Sequence, residues 1–286
     1  MIALIGQSVL DQTFWPDGYV EERLGGAPVF AGRAVAGKCP AVVVTHGGNA
    51  ALRRPLHDFG LDVVEGPSER TTVFEVTLYG DGTWTESVTA LGDPFLPRDV
   101  EQWMAAAVAP CSIVVCGTQW RGDFPPETLA ALSNGSRRVF FDGQGPARAP
   151  LLGPVRLACR LDSEMLRHVD VLKLSEDEAT FLIGGIDPHA ARAIGVPVVV
   201  VTLGERGAVV LSDGVATEIK VDPVLGLADT VGAGDSFLAL MGAATAFGAG
   251  PVEAAAKACE GVAELLRERL AEEHVPLRAV AVAADG

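Results

Sequence analysis

The sequence predicts an α/β protein, with three α/β/α layers around a mainly parallel sheet and a small second sheet outside it. Three observations carry that expectation. From Arg98 to Val201, short apolar runs alternate with helical stretches, the pattern of a parallel sheet covered by helices. Hydrophobic residues make up 49% of the 286 residues, enough for a sizeable core. The segment from Arg70 to Thr89 differs: Thr72-Val73-Phe74-Glu75-Val76-Thr77-Leu78 alternates with a period of two, which suits a hairpin exposed on one face.

The elements follow in order. Residues 2–5 form a short apolar run closed by Gly6 and read as a buried strand, with Asp11 just beyond it. Trp15-Pro16-Asp17-Gly18 is a turn, and Tyr19 to Leu24 a second short strand. Gly25 and Gly26 then open a helical stretch to about Lys38, and a double glycine lets the backbone come close to a ligand. Residues 41–45 read as a strand, Asn49 to Phe59 as a helix with Gly60 as its C-cap, and residues 61–64 as another strand. The hairpin, turning at Gly80-Asp81-Gly82, joins Tyr19 to Leu24 in the small sheet.

After Pro97 come a helix (Arg98 to Val108), a strand (Ser112 to Cys116), a helix (Pro126 to Leu132) and a strand (Arg138 to Asp142). Ligands of such sheets bind at the carboxyl ends of strands, where Asp142 stands. Residues 171–174 are a strand, and Ser175 with Glu178 makes a capping box for the next helix. The valine run 198–201 is a buried strand, and Thr202 to Gly207 is a tight turn into Ala208 to Leu211. Two helices close the chain, Phe237 to Phe247 and the amphipathic Val252 to Leu270, while the tail from Ala279 carries few packing cues. With no repeat and no linker, residues 1–286 read as a single domain.

Composition excludes several classes. A formal net charge of −15 argues against non-specific nucleic-acid binding, which needs a basic surface, though a local pocket can still be positive. The five cysteines (Cys39, Cys111, Cys116, Cys159, Cys259) include no Cys-x-x-Cys pair, so neither a zinc site nor a disulfide framework is indicated. There is no signal-peptide pattern and no apolar stretch long enough for a membrane span, so a cytoplasmic protein is expected.

The chemistry concentrates in Asp229-Thr230-Val231-Gly232-Ala233-Gly234-Asp235-Ser236-Phe237. An alanine-rich helical run follows, so Gly232 to Asp235 should form its first turn. The N–H groups of a helix start are unpaired and the dipole there favours negative charge. Small side chains let a phosphate approach. Asp235 would stand beside it, placed to take a proton from an attacking hydroxyl. The string lacks the third glycine of a dinucleotide fingerprint and the Gly-Lys-Ser/Thr of a P-loop.

The full string resembles the C-terminal signature of the ribokinase-like (PfkB) family of carbohydrate and nucleoside kinases, and the resemblance extends in order along the chain. It implies ATP as donor, magnesium as cofactor, and a sugar, polyol or nucleoside as acceptor. Asp235 would be the base and a substrate ligand, with Gly232, Ala233 and Gly234 as the anion hole and Arg148 as extra positive charge. Thr202, Gly204, Gly207, Ser175 and Thr230 would bind the nucleotide, and Glu178 would act near magnesium, indirectly. Asp11, Gly25, Gly26 and Gln144 would bind the acceptor. Segments of about 12–24 and 70–89 would form a lid, which in this family excludes water and sometimes makes a homodimer.

The chain also departs from the family pattern. Phe30 replaces an asparagine after the glycines and Ala27 replaces a lysine. The motif at Asp142 reads Asp142-x-Gln144, with Arg148 six residues on, and Ser175 replaces the asparagine of Asn-x-x-Glu within Lys173-x-Ser175-x-Asp177-Glu178-Ala179. With Gly92-Asp93-Pro94-Phe95-Leu96-Pro97, these departures resemble the myo-inositol kinase branch. A nucleoside, ribose or fructose is the alternative acceptor, and a catalytically silent ligand-binding relative the alternative outside the enzyme class.

Overall fold

The computed structural model describes residues 1–46, 59–79, 84–157, 161–225 and 230–273. The expected helix from Asn49, the Gly80-Asp81-Gly82 turn, Cys159, Asp229 and the tail from Ala279 lie outside these residues. The strands are β1 (Ile2–Gly6), β2 (Val9–Phe14), β3 (Val20–Gly25), β4 (Ala41–His46), β5 (Asp62–Gly66), β6 (Thr72–Leu78) and β7 (Trp84–Ala90). They continue as β8 (Ile113–Gly117), β9 (Arg138–Asp142), β10 (Gly153–Pro154), β11 (Val171–Ser175), β12 (Val198–Thr202), β13 (Ala208–Ser212) and β14 (Val215–Ile219).

A nine-stranded sheet runs in the order β14-β13-β12-β11-β9-β8-β1-β4-β5. From β5 to β12 every pairing is parallel. β13 and β14 are antiparallel. The turn from Leu203 to Gly207 explains the change, since a parallel return needs a crossover of about a dozen residues or more. The strand order reverses between β1 and β8, and ligands of open α/β sheets bind outside the strand ends at such a point.

The buried strands alternate between two cores, as a period of two requires. Ala3, Ile5, Val42, Val44, Val199 and Val201 face a core shared with Val100, Leu129, Leu132, Met165 and Ala179. Ile2, Leu4, Ala41, Val43, Val198 and Val200 face the opposite core, built with Ala31, Phe237, Leu238, Ala254 and Ala258. The helices Ala27–Val35, Ala233–Ala246 and Pro251–Glu273 supply that second layer.

The smaller sheet runs β10-β7-β6-β2-β3. It contains both expected segments and adds β2, which places Asp11 inside a strand rather than beyond one. A polar knot anchors it. The Thr72 hydroxyl donates to Gln7 Oε1 (2.5 Å) and accepts from the Gly92 N–H (2.8 Å), while Gln7 Nε2 donates to Asp123 (2.9 Å).

One expected element is divided. The helix read over Arg98 to Val108 breaks into Pro97–Glu101 and Ala105–Val108. Between them the Trp103 indole donates back to Asp99 Oδ1 (3.1 Å), and its ring covers Gly66, where a Cβ would lie 2.1 Å away. Apolar spacing does not register such a break. The expected Ser175 cap is present in full: Ser175 Oγ accepts from the Glu178 N–H (3.2 Å) and Glu178 Oε2 accepts from the Ser175 N–H (2.8 Å).

Candidate active site

From Thr230 onward the signature forms the expected turn into a helix. Gly232 caps the helix Ala233–Ala246 in the left-handed region, with φ of 77°, a conformation that favours glycine. A Cβ there would also lie 2.0 Å from the Phe30 ring. The Ala233 N–H donates to the Thr230 carbonyl (3.1 Å), closing the turn. The N–H groups of Gly232 and Gly234 have no hydrogen-bond partner among the described residues.

Asp235 follows in the first turn, half-buried beside the switch point. Its Oδ1 lies 3.6 Å from where a Cβ of Gly117 would stand, at the end of β8, and that same Cβ position is 1.9 Å from the Cβ of Ala27. Two successive close approaches therefore bring the Gly25–Gly26 corner, β8 and Asp235 together. Burial, the Asp142 charge and that of Glu178 push the Asp235 carboxyl up to about 7, against the Lys173 and Arg148 cations. A base poised near neutrality suits proton transfer at physiological pH.

Beside Asp235 lies a buried ion pair that the sequence reading did not single out. Lys173 Nζ donates to both oxygens of Asp142, at 3.0 and 3.2 Å. Both residues are buried, and β9 and β11 place them directly across from each other. The signal was present in the sequence as a lysine within the apolar run of β11 beside an aspartate that ends β9. Burial works to lower the lysine's pKa, but Asp142, Glu178 and Asp235 together hold it above its ordinary value. Burial also raises the Glu178 carboxyl, opposed chiefly by Lys173.

Gly234 makes room for this lysine. A Cβ on Gly234 would lie 2.8 Å from Lys173 Nζ. The expectation was that small residues here admit a phosphate. The geometry adds that the bare faces of Gly232 and Gly234 are already taken, one by Phe30 and one by Lys173. Phe30 thus packs on the glycine turn.

The other expected residues fall into two groups. Thr202, Gly204, Gly207 and Thr230 line a cleft of about 430 Å³ with Ala233 and Gly234. Its far wall is apolar and includes Val221, Val224, Val262 and Leu266. Gly207, with φ of 95°, has no room for a side chain because a Cβ would lie 2.1 Å from the Ile219 carbonyl. Ser175 and Glu178 sit nearby as the capping box. Arg148 ends the short helix Gln144–Ala147, and its charge acts on both Glu178 and Asp235.

At the Gly25–Gly26 corner, Asp11 faces Arg23 and Phe74 across the small sheet. Its Oδ2 lies 2.0 Å from the Cβ position of Gly25, so a side chain there would displace the carboxylate. Gly26, with φ of 89°, turns the chain into its helix beside the Gln7 carbonyl. Gln144 Nε2 donates to the Thr118 carbonyl (3.3 Å) and to Gln119 Oε1 (3.2 Å).

Among the described residues no three ligating side chains gather as a metal cage. A magnesium ion keeps most of its waters and needs few protein ligands. Glu178 has its second oxygen outside the capping box for such a water.

Comparison with known proteins agrees with this geometry. Residues 141–274 match the model of the pfkB family carbohydrate kinases. No curated protein matches the chain. Among solved structures, a pyrophosphate-dependent kinase in the ribokinase family, complexed with a pyrophosphate analog and myo-inositol, aligns with a TM-score of 0.78 at 23% identity. That alignment covers 93% of this chain and 95% of the other. Ribokinase of Arabidopsis thaliana, complexed with ribose and ATP, aligns with a TM-score of 0.71 at 20% identity, over 93% and 98% of the two chains. Adenosine kinase of Sinorhizobium meliloti gives 0.68 at 17%, over 91% and 92%.

The chain has the ribokinase fold. Its resemblance to the PfkB family of carbohydrate kinases is upheld by the family match through the signature and by the fold over nearly the whole length.

Proposed function

We propose that this protein transfers the terminal phosphoryl group of ATP to a hydroxyl of a sugar or polyol, with myo-inositol as the leading acceptor. The observation that carries this reading is Asp235, half-buried in the first turn of a helix and poised near pH 7. In the reaction, the acceptor oxygen forms a bond to the γ-phosphorus as the bond from that phosphorus to the bridging oxygen of ADP breaks. The acceptor's proton passes to Asp235. The N–H groups of Gly232 and Gly234 stabilise charge on the phosphoryl oxygens. Magnesium, when bound, would draw charge from the phosphates, and Glu178 would orient its water.

The cleft beside Thr202, Thr230 and Gly234 favours ATP over a bare phosphate donor. Its volume of about 430 Å³ and apolar wall suit a nucleoside, which pyrophosphate would leave unfilled. Pyrophosphate remains the second reading, because it is the donor of a kinase with this fold. On the acceptor side, Asp11 and Gln144 offer polar atoms to hydroxyls, and the sheet carrying Asp11 serves as the lid. Exposed Tyr19 and Tyr79, at the ends of β3 and β6, favour a homodimer through that sheet, which light scattering after gel filtration would test.

Phosphorus NMR of the products decides donor and acceptor together. Either ATP or pyrophosphate, with magnesium, is incubated with each of myo-inositol, ribose, fructose and adenosine. A new phosphomonoester from ATP and myo-inositol is expected. A product from pyrophosphate alone reverses the donor assignment, and a product from ribose or adenosine alone reverses the acceptor assignment.

A further inference from the structure

We propose that Lys173 is a catalytic residue: clamped by Asp142, it directs its remaining ammonium hydrogen to an oxygen of the phosphoryl group being transferred. The inference rests on the kinase reading above and adds a residue to it. An ammonium carries three donors. The two bonds to Asp142, at 3.0 and 3.2 Å, occupy at most two of them. No other acceptor among the described residues takes the third. Only 5% of Lys173 is exposed, so water does not readily satisfy it.

The lysine's place is set against the first turn of the helix. Nζ sits 2.8 Å from the position a Cβ of Gly234 would occupy, against the turn whose Gly232 and Gly234 N–H groups are also unpaired. Three unpaired donors therefore lie at one turn, two from backbone and one from a buried cation. What satisfies all three is an anion with several oxygens. Such charge-assisted bonds are roughly twice as strong as neutral ones. The pair with Asp142 fixes the lysine there, so its position does not depend on the ligand.

The clamp also answers a charge problem. Asp142, Glu178 and Asp235 all act on this one ammonium. Without it, three carboxylates would face an incoming phosphate. Arg148 supplies the other positive charge near Glu178 and Asp235.

The test contrasts donors with and without the terminal phosphate. Lys173→Met alone strands a buried carboxylate and is expected to fold poorly. Lys173→Met combined with Asp142→Asn removes both charges and keeps the fold testable. Calorimetry then measures magnesium-ATP against magnesium-ADP, and magnesium-pyrophosphate against inorganic phosphate, for wild type and the folded double variant.

The double variant should lose tenfold or more in affinity for ATP, or for pyrophosphate if that is the donor that wild type binds. It should hold ADP, or inorganic phosphate, within about twofold of wild type. A merely structural lysine would weaken both members of a pair alike or neither, and either result overturns the proposal while leaving the kinase reading intact. Wild type that binds neither ATP nor pyrophosphate removes the donor reading and this inference with it. Asp235→Asn, measured alongside, should bind ATP as wild type does.

Discussion

Asp235 carries two consequences of opposite sign. Its ionised form is the base, so kcat/KM should rise with pH and level off above an apparent pKa of about 7. Activity at pH 6 should be roughly tenfold below the plateau, and a rate profile flat from pH 5 to 8 would remove the base assignment. Asp235→Asn should lower turnover by about a hundredfold or more. The same substitution should stabilise the fold at alkaline pH. The carboxyl titrates near 3.8 when unfolded and about 7 when folded, so the folded chain holds its proton more tightly. That stabilisation is complete below 3.8 and is lost as pH rises through 7. Asparagine cannot ionise, so its Tm should exceed that of wild type at pH 8, with the advantage shrinking toward pH 4.

Gly232 is the other residue whose role is plain. Its φ of 77° and the Phe30 ring, 2.0 Å from a Cβ, both oppose any side chain. Gly232→Ala should cost about 1–3 kcal/mol in denaturant unfolding. Adding Phe30→Ala should recover only part of this, since the backbone strain remains. At this scale the sequence was read unevenly. The signature was legible because its glycines, aspartate and following helix lie in one stretch. Lys173 was not, because its meaning comes from Asp142 on another strand, a neighbour that only the sheet register supplies.

Elements were more legible than contacts. The strands announced themselves as valine-rich runs, and the Ser175 cap as serine and glutamate three apart. β2 was overlooked because Asp11, Gln12 and Thr13 interrupt its apolar pattern. It is held by pairing on both sides, with β3 and β6, rather than by burial. The helix Ala233–Ala246 tests packing at this scale, since it must lie close on the sheet to bring Asp235 to the strand ends. Gly242 permits this: a Cβ there would come 2.9 Å from a Val115 methyl. Alanine would gain about 1 kcal/mol of helix propensity. The overpacking should outweigh it, so that Gly242→Ala destabilises by about 1–2 kcal/mol in urea unfolding. A more stable variant would mean that the helix stands off the sheet.

For the whole molecule, the order of elements and the family signature sufficed to foresee a parallel α/β sheet with a second sheet beside it. They did not foresee that the bare faces of Gly232 and Gly234 are covered by Phe30 and Lys173, because that depends on how the helix Ala27–Val35, β11 and the signature helix meet. Nor did they foresee the apolar cleft, whose lining comes from segments about forty residues apart, around Val221 and Leu266. The most direct measurement is coupled ADP release with magnesium-ATP, over myo-inositol, ribose, fructose, adenosine and cytidine, for wild type and Asp235→Asn together. Turnover is expected on a polyol or sugar, highest with myo-inositol, with near-complete loss in the variant. Equal turnover in the two proteins, or none by wild type on any acceptor while ATP still binds, would contradict it.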